Sequence, residues 1–378
     1  MRPTSPAVSR ALPRRAAPVL VALALGALAL AAAAPRPAAG PHRIQPRAMR
    51  ALPADSLIRP GERHFARLWQ ITSGGENAEG YFSADGRWLV FQSTRDGHPC
   101  DRIFVMSLVT GATHMVSTGT GRTTCGYFYD RDERVVFAST HLGGEACPPT
   151  PDRSQGYVWP LYASYDLFTA KRDGSDLRRL TDAPGYDAEA TVSADGRWMI
   201  FTSDRDGDLE LYKMRPDGSQ LTRLTHEIGY DGGAFFSRDG RWICWRRDDQ
   251  NTPEKVAEYR RLLAKGLVRP SDMHLWVMRA DGTGKRRVTF KPGASFAPFF
   301  TPDGRRLIYS SNWENPRGRN FDLYLVDVAG GEPRPVTRDP DFDGFPMFSP
   351  DGRWLVFASN RGAKTRGETN LFLAEWRP

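Results

Sequence analysis

The chain has 378 residues, of which 40% are hydrophobic and 25% charged, and it contains 36 Gly, 29 Pro and 4 Cys. This composition is that of a loop-rich globular protein and excludes a disordered chain, a collagen and a disulfide-dense miniprotein. The formal charge of +8 comes from residues 1–50, which hold eight Arg and no Lys, Asp or Glu, so the rest of the chain is balanced and we expect no nucleic-acid partner.

The first predicted element is an export signal. Four arginines between Arg2 and Arg15 precede an uninterrupted apolar run at 19–34, and small residues follow it. This order is typical of a secretory signal peptide, which we place at 1–39. An uncleaved membrane anchor is the alternative, but the run is shorter than the roughly twenty residues that a span needs.

The segment after the signal is predicted to be a flexible tether. Residues 40–62 are rich in Pro, Arg and Ala, with no apolar periodicity. The Ala, Arg, Pro and Gly bias of the chain indicates a bacterium. We therefore expect a periplasmic or secreted product without a membrane span once the signal is cleaved.

The remaining residues, 63–378, contain six copies of one unit. Five segments align without gaps and the second, degenerate one is in register: GYFSADGRWLVFQS (80–93), GYFYDRDERVVFAS (126–139), ATVSADGRWMIFTS (190–203), AFFSRDGRWICWRR (234–247), PFFTPDGRRLIYSS (298–311) and PMFSPDGRWLVFAS (346–359). The aromatic residue that closes each unit recurs at intervals of 44 to 64 residues: Phe91, Phe137, Phe201, Trp245, Tyr309 and Phe357. The shortest interval is the length of one four-stranded propeller blade.

Each unit predicts a first strand a, a tight turn that is Asp-Gly in five units, and a second strand b. A third strand c and a short strand d follow, as at 209–212 and 222–225 in the third unit. After the sixth strand c no strand d remains, whereas 68–72, before the first unit, has the strand d pattern. We predict that this N-terminal strand completes the last blade and closes an all-β, six-bladed β-propeller.

The unit Ser-Pro/Ala-Asp-Gly-Arg-Trp-Leu-Val-Phe-x-Ser, seen at 83–93 and 349–359, resembles the repeat of TolB-type six-bladed β-propellers. The resemblance covers nearly all of 63–378 and implies the propeller fold. TolB itself carries an additional α/β domain before its propeller, and 40–62 is too short to supply one. The resemblance therefore implies the fold and not a role in the Tol system.

All insertions into the repeat fall in connections between strands b and c. They cover 141–164 in blade two and 247–272 in blade four, with shorter ones at 313–320 and 361–369. The a–b and c–d turns of the opposite face are short. Because loops on a rigid scaffold commonly carry binding, we predict that the b–c face binds a partner; neutral variation in loop length is the alternative.

Two columns of residues near the start of strand a are predicted to surround the channel mouth on this face. The first reads Asn77, Thr123, Asp187, Asp231, Ser295 and Asp343, and the second, two residues later, reads Glu79, Cys125, Glu189, Gly233, Ala297 and Phe345. Carboxylates that converge on an axis repel one another unless a cation, a ligand amine or backbone N–H groups offset them. We therefore predict a ligand site made of Asn77, Glu79, Asp187, Glu189, Asp231, Asp343 and the preceding aromatics Tyr186 and Tyr230. The alternative is that each Asp caps its own d–a turn.

A divalent cation is a further prediction for this face. Its connections hold His98, His141 and His226, which together with the acidic column would suit a transition metal. The candidate ligands are Asp187, Asp231, Asp343, His141 and His226, and the candidate ions are Ca, Mn and Zn. Solvated loop histidines are the alternative.

The two long insertions have distinct compositions. The first contains Tyr157, Trp159 and Tyr162, aromatics that either contact a sugar or peptide or pack on their own blade. In the second, Thr252 and Pro253 predict the N-cap and first residue of a short helix that Gly266 ends.

A Ser-x-Arg triplet follows strand b in three blades. The triplets are Ser93 to Arg95, Ser203 to Arg205 and Ser359 to Arg361. Because they recur with the blade, we predict a structural role in which the triplet pairs with an Asp or with backbone near strand c.

The four cysteines fall into two groups. Cys244 occupies a strand b position that holds Val or Ile in the other blades, which predicts a buried thiol. Cys100, Cys125 and Cys147 cluster on the b–c face of blades one and two. One disulfide among these three is expected, and the sequence leaves the pair open.

No catalytic residue is predicted. The sequence contains no G-x-S-x-G, H-E-x-x-H, P-loop or C-x-x-C motif. The leading prediction is a non-enzymatic, monomeric module that binds an envelope protein or small ligand through the b–c face and channel mouth. The alternative is a metal-dependent lyase or hydrolase that acts on a polysaccharide fragment at that mouth.

Overall fold

The computed structural model describes residues 42–154 and 156–378, which form a six-bladed β-propeller. The signal peptide predicted at 1–39 lies outside the described residues. Strand a of each blade contacts strand a of the next, and strand a of blade six returns to that of blade one. The innermost strands therefore form a closed ring around a central channel, which confirms the predicted fold class.

Each blade is an antiparallel sheet whose strands run a to d from the channel outwards. Blade one consists of Asn77–Phe82, Trp88–Ser93, Arg102–Ser107 and Thr113–Met115, and blade two of Thr123–Tyr129, Arg134–Ser139, Asp166–Lys171 and Arg178–Arg179. Blade three consists of Asp187–Val192, Met199–Ser203, Glu210–Met214 and Thr222–Arg223, and blade four of Asp231–Phe236, Trp242–Asp248, Met273–Arg279 and Arg286–Arg287. Blade five consists of Ser295–Phe300, Arg306–Ser311, Asp322–Asp327 and Arg334–Pro335.

The sixth blade is closed by the N-terminal strand. Its strands a to c are Asp343–Phe348, Trp354–Ser359 and Asn370–Trp376. Strand d is Phe65–Gln70, which runs antiparallel to strand c, and Leu52–Pro53 adds a fifth strand outside it. The first and last strands thus pair with each other, and the predicted closure is confirmed.

Residues 42–62 lie along the propeller, which differs from the flexible tether predicted for this segment. Ile44 and Met49 are buried in the core cluster that contains blade one. Glu62 is also buried and forms an ion pair with Arg361 of blade six. These few anchoring side chains are separated by Pro and Arg, so their pattern resembles that of an unstructured segment.

The core of each blade contains a pair of aromatic rings from strands b and c. The aromatic residue that closes each repeat is at most 1% exposed. Its ring lies 5.8 to 6.5 Å from a strand c ring in the pairs Phe91–Phe104, Phe137–Phe168, Phe201–Tyr212, Trp245–Trp276, Tyr309–Tyr324 and Phe357–Phe372. Such pairs add about 0.5–1.5 kcal/mol each to the effect of area burial. Cys244, beside Trp245 in strand b, is fully buried as predicted.

The two long b–c insertions meet each other. Trp159–Pro160 of the first insertion pairs with Leu267–Val268 of the second in a two-stranded sheet. The first insertion is also joined to the b–c connection of blade one by a disulfide between Cys100 and Cys147, which leaves Cys125 as a free thiol. The structure thus resolves the pairing that the sequence left open.

The predicted helix is present in the second insertion. Helix α1 spans Pro253–Leu263, and the Thr252 hydroxyl accepts a hydrogen bond from the Lys255 N–H at 3.3 Å, as expected for an N-cap. Its buried residue Tyr259 donates a hydrogen bond to Asp208 in the b–c connection of blade three. In the described residues, no helix has both the length and the apolar character needed to cross a membrane.

Candidate functional site

The first predicted column, which we call the outer column, is buried inside the blades. Asp187 accepts two hydrogen bonds from Arg205 Nη2, at 2.9 and 3.0 Å, and Asp343 accepts one from Arg361 Nη2 at 2.7 Å. Both aspartates are at most 1% exposed. Because Arg205 and Arg361 end Ser-x-Arg triplets, the predicted pairing of the triplet with an Asp is confirmed in blades three and six.

Two other members of the outer column also accept hydrogen bonds from side chains of their own blades. Asn77 Oδ1 accepts a hydrogen bond from Ser93 Oγ at 2.8 Å, and Asp231 accepts one from the indole N–H of Trp245. Burial raises the pKa of Asp231 and of Asp343. The structure therefore does not bring together at the channel mouth the four predicted residues Asn77, Asp187, Asp231 and Asp343. Each is hydrogen-bonded to a side chain of its own blade instead.

The residues predicted as metal ligands do not converge either. His141 Nδ1 lies 2.8 Å from Ser139 Oγ, its ring packs 4.4 Å from the Phe168 ring, and burial lowers its pKa. His226 is exposed in the connection between blades three and four. In the part of the chain that the structure describes, no group of three or more His, Cys, Asp or Glu side chains is placed to hold a metal.

The second predicted column, which we call the channel ring, does line the channel. Its members all have φ between 49° and 60°: Glu79, Cys125, Glu189, Gly233, Ala297 and Phe345. Each lies at a β-bulge, where the register of strand a against strand b shifts. A bulge re-aims the side chain at that position, and all six face one central cavity.

The cavity has a volume of about 1250 Å³. Its aromatic walls include Tyr157, Trp159, Tyr162, Tyr186, Tyr230, Phe296, Phe342 and Phe345, and its arginines are Arg122, Arg153, Arg246, Arg317, Arg319 and Arg366. Deeper in the channel, the rings of Tyr81 and Phe235 meet edge to face at 5.4 Å. The aromatic residues predicted for the loop face therefore share one site with the channel ring.

Glu189 is the most heavily bonded member of the channel ring. Its carboxylate forms an ion pair with Arg246 and accepts hydrogen bonds from three neighbours: the Tyr230 hydroxyl at 2.6 Å, the Thr202 hydroxyl at 2.8 Å and the Gly233 N–H at 2.9 Å. The Arg246 guanidinium also lies 5.1 Å from the ring of Trp159. This cluster joins blades three and four to the first insertion.

Arg246 was missed by the sequence reasoning. It follows the closing aromatic of strand b, a position that reads Gln92, Ala138, Thr202, Ser310 and Ala358 in the other blades. Gly233 makes room for it, because a Cβ there would lie 1.9 Å from Arg246 Nη1. Arg246 is the one charged residue at this position of strand b in the six blades, and it lies opposite a Gly-Gly pair at 232–233. These two features of the sequence could have identified it.

Glu79, the other carboxylate of the channel ring, has a different environment. Its hydrogen-bonding neighbours are the Tyr81 hydroxyl, at 3.5 Å, and the Cys125 thiol. Burial raises the pKa of Glu79 to about 7; the Cys125 thiol and Arg246 oppose this rise, and the charge of Glu189 adds to it. Burial likewise raises the pKa of the Cys125 thiol well above its usual range, so the thiol stays protonated.

Positive charge surrounds the mouth of the cavity. Arg122 lies 3.7 Å from Asp101, and Arg153 lies over the ring of Tyr157 at 4.8 Å. Three further arginines are exposed and take part in no salt bridge within the described residues: Arg317, Arg319 and Arg366. Glu76 and Asp341 are also at the mouth, so the rim has mixed charge with an excess of arginine.

Several known proteins are similar to this chain. A family model described as the TolB beta propeller domain matches residues 161–266 and 267–367. A stretch of 39 residues is 51% identical to the Tol-Pal system protein TolB of Bordetella pertussis, but it covers only 10% of this chain and 9% of that protein.

Two solved structures share the fold. TolB from Acinetobacter baumannii has a TM-score of 0.52 at 16% identity, over 74% of this chain and 61% of that one. XC5397, a gluconolactonase from Xanthomonas campestris, has a TM-score of 0.55 at 14% identity, over 86% and 97% of the two chains. At such identities the likeness extends to the fold alone.

Proposed function

Because the chain belongs to the TolB β-propeller domain family, we propose that it is an exported binding module whose b–c face takes a protein or envelope ligand into the central cavity. The observation that carries this proposal is the cavity of about 1250 Å³, walled by aromatic side chains and arginines. Concave sites with apolar walls and a few placed polar groups are the usual form of a ligand site.

The construction of the b–c face supports this proposal. The first insertion is held by a disulfide to blade one and by strand pairing to the second insertion, so Tyr157 and Trp159 are carried on a braced loop. Tyr157 is 50% exposed. A large, exposed aromatic on a braced loop adds contact area at a small entropic cost, as in other recognition surfaces.

Export is part of the same proposal. The leader at 1–39 has the layout of a cleaved signal, and a structural disulfide suits an oxidising compartment such as the bacterial periplasm. We further propose that the mature protein is a monomer and that its partner is an envelope component. Neither nucleic acid nor a membrane span is part of this proposal.

The lyase or hydrolase alternative relied on a metal held at the channel mouth by three carboxylates and two histidines: Asp187, Asp231, Asp343, His141 and His226. These carboxylates are engaged by side chains of their own blades. The geometry therefore favours binding over that particular metal-dependent chemistry.

Site-specific photo-crosslinking in living cells tests the binding role. A photoreactive amino acid at Tyr157 places the probe at the cavity mouth, and the matched control at Arg197 places it in an a–b turn on the opposite face. We expect one crosslinked envelope component from Tyr157, reduced at least about fivefold by Trp159→Ala, and none from Arg197. Equal labelling from both positions would contradict the proposal.

A further inference from the structure

The two carboxylates of the channel ring are unequally satisfied. Glu189 has Arg246 as a counter-ion and three hydrogen-bond donors. Glu79 takes part in no salt bridge among the described residues, and its neighbouring donors are uncharged: the Tyr81 hydroxyl, 3.5 Å away, and the Cys125 thiol. Arg246, the cation that acts on Glu79, is therefore already engaged by the other carboxylate.

Among the described residues that act most strongly on the charge of Glu79, Arg246 is the single cation. The titratable and charged groups that act on it come from its own strand, from blade one's b–c connection and from blades two to four: Tyr81, Asp101, Cys125, Glu189 and Arg246. Two of these are carboxylates and two are neutral in their ordinary state. An ionised Glu79 is therefore poorly compensated, which agrees with its raised pKa.

The side chain of Tyr81 adjoins this carboxylate and belongs to an aromatic cluster that reaches the cavity. Tyr81 packs against Tyr127 at 5.8 Å and against Phe235 at 5.4 Å. Phe235 in turn packs edge to face on Phe299 at 5.5 Å. Rings grouped around an anion form a favourable environment for a cation, because the ring face and the carboxylate both attract positive charge.

We propose that the ligand of this cavity carries a positively charged nitrogen, an ammonium or guanidinium group, that binds Glu79 at the base of the channel ring. This inference rests on the proposed function, since it names the chemistry of the group that enters the same cavity. Binding supplies the missing counter-ion and leaves the Glu189–Arg246 pair intact.

The arginines at the mouth do not exclude such a ligand. Arg317, Arg319 and Arg366 are exposed, and solvent ions screen exposed charges beyond a Debye length of about 8 Å at physiological ionic strength. Glu79 lies among buried groups, where attraction between charges is stronger. The mouth arginines then face the remainder of the ligand rather than its cation.

A matched pair of small probes tests the charge preference. Benzylammonium and benzyl alcohol, which have similar shapes, are titrated into the mature protein and followed by NMR. We expect benzylammonium to bind at least about tenfold more tightly than the alcohol. Glu79→Gln should abolish that preference, whereas Glu76→Gln, which removes an exposed carboxylate at the cavity mouth, should preserve most of it.

The pH dependence provides a second readout. With a pKa of about 7, Glu79 is ionised in about one molecule in ten at pH 6 and nine in ten at pH 8. Benzylammonium stays protonated over this range, so its affinity should rise about tenfold from pH 6 to pH 8. The Glu79→Gln variant should lose this rise.

The outcomes separate the inference from the proposed function. Equal binding of the two probes, no binding of either, or a preference that survives in Glu79→Gln overturns the cationic ligand. If Tyr157 still crosslinks to a partner in that case, the binding role stands and only the charge assignment fails. If benzylammonium binds through Glu79 but Tyr157 gives no crosslink, the cation site stands and the envelope partner fails. Thermal unfolding confirms that each variant is folded.

Discussion

The outer column and the channel ring lie two residues apart on the same six strands, yet their environments are opposite. Asp187 is buried and paired with Arg205 of its own blade, whereas Glu189 enters the channel and is bonded by side chains of blade four. The β-bulge between Ala188 and Thr191 separates them. Without the bulge, residues two apart on a strand would share a face.

This difference distinguishes a structural column from a site. In the outer column, buried polar side chains are bonded to partners within the fold: Asp187 and Asp343 to Arg, Asn77 to Ser. The channel ring has one backbone conformation but five different residue types at its six positions: Glu at two of them, and Cys, Gly, Ala and Phe at the others. A backbone conformation that repeats in every blade, with side chains that differ, is expected where the fold supplies positions and the ligand determines what occupies them.

The largest predicted loss of stability follows from removing the arginine that pairs with Asp343 of the outer column. Arg361 donates to Glu62 at 3.0 Å and to Asp343 at 2.7 Å, and all three side chains are fully buried. Arg361→Ala leaves two buried carboxylates without a counter-ion, so we expect a loss of about 3–5 kcal/mol in the free energy of unfolding. Urea denaturation followed by tryptophan fluorescence measures it.

Arg353→Ala is the matched control in the same blade. Arg353 lies 3.8 Å from Glu375, and both side chains are more than one third exposed. Because an exposed ion pair contributes little, the expected loss is below about 1 kcal/mol. Similar losses in the two variants would mean that burial does not determine how much the ion pairs of Arg361 contribute to the free energy of unfolding.

A smaller loss in the free energy of unfolding is expected when Gly233 of the channel ring is replaced by Ala. A methyl group there would overlap Arg246 Nη1, and φ is +58°. Gly233→Ala should move Arg246 away from Glu189 and cost about 2–4 kcal/mol, because backbone strain and a weakened ion pair add together. Gly240→Ala has φ of +68° with no atom within 4 Å of the new Cβ, so it should cost only the strain, about 1–2 kcal/mol. Equal costs would indicate that Arg246 has another position available.

Much of the fold could be predicted because its determinants are local and repeated. The Asp-Gly turns and the closing aromatics specify each blade, and 68–72 carries the strand d pattern that closes the ring. Helix α1 could also be predicted, since Thr252 and Pro253 are typical of the N-cap and first residue of a helix. The packing of 42–62 could not, because it depends on single contacts such as Glu62 with Arg361, far apart in sequence.

The site was predicted in position but not in geometry. Side chains two apart on a regular strand share a face, so the sequence predicted that Asp187 and Glu189 both reach the channel. The bulge that separates them cannot be predicted from the residues Ala188, Glu189 and Ala190. Only Gly233 marks a positive φ by its residue type. The pairing of Cys100 with Cys147 rather than Cys125 depends on the path of the first insertion, which spacing does not determine.

The smallest predicted effect concerns the strain held in the channel ring at Ala297. Its φ of +49° is unfavourable for a residue with a Cβ by about 1–2 kcal/mol, and Ala297→Gly relieves it. Against this, glycine costs about 0.5–1 kcal/mol in unfolded-state entropy, so the net gain in unfolding free energy should be about 0.5 kcal/mol. Ala190, at the position after Glu189 in the bulge of blade three, is 1% exposed and has no positive φ, so it lacks the strain and Ala190→Gly should lose about 1 kcal/mol. Opposite signs in parallel urea denaturation curves are the expected result. If both variants are destabilised alike, the bulge conformation carries no measurable strain, and the ring residues are held by the strand register alone.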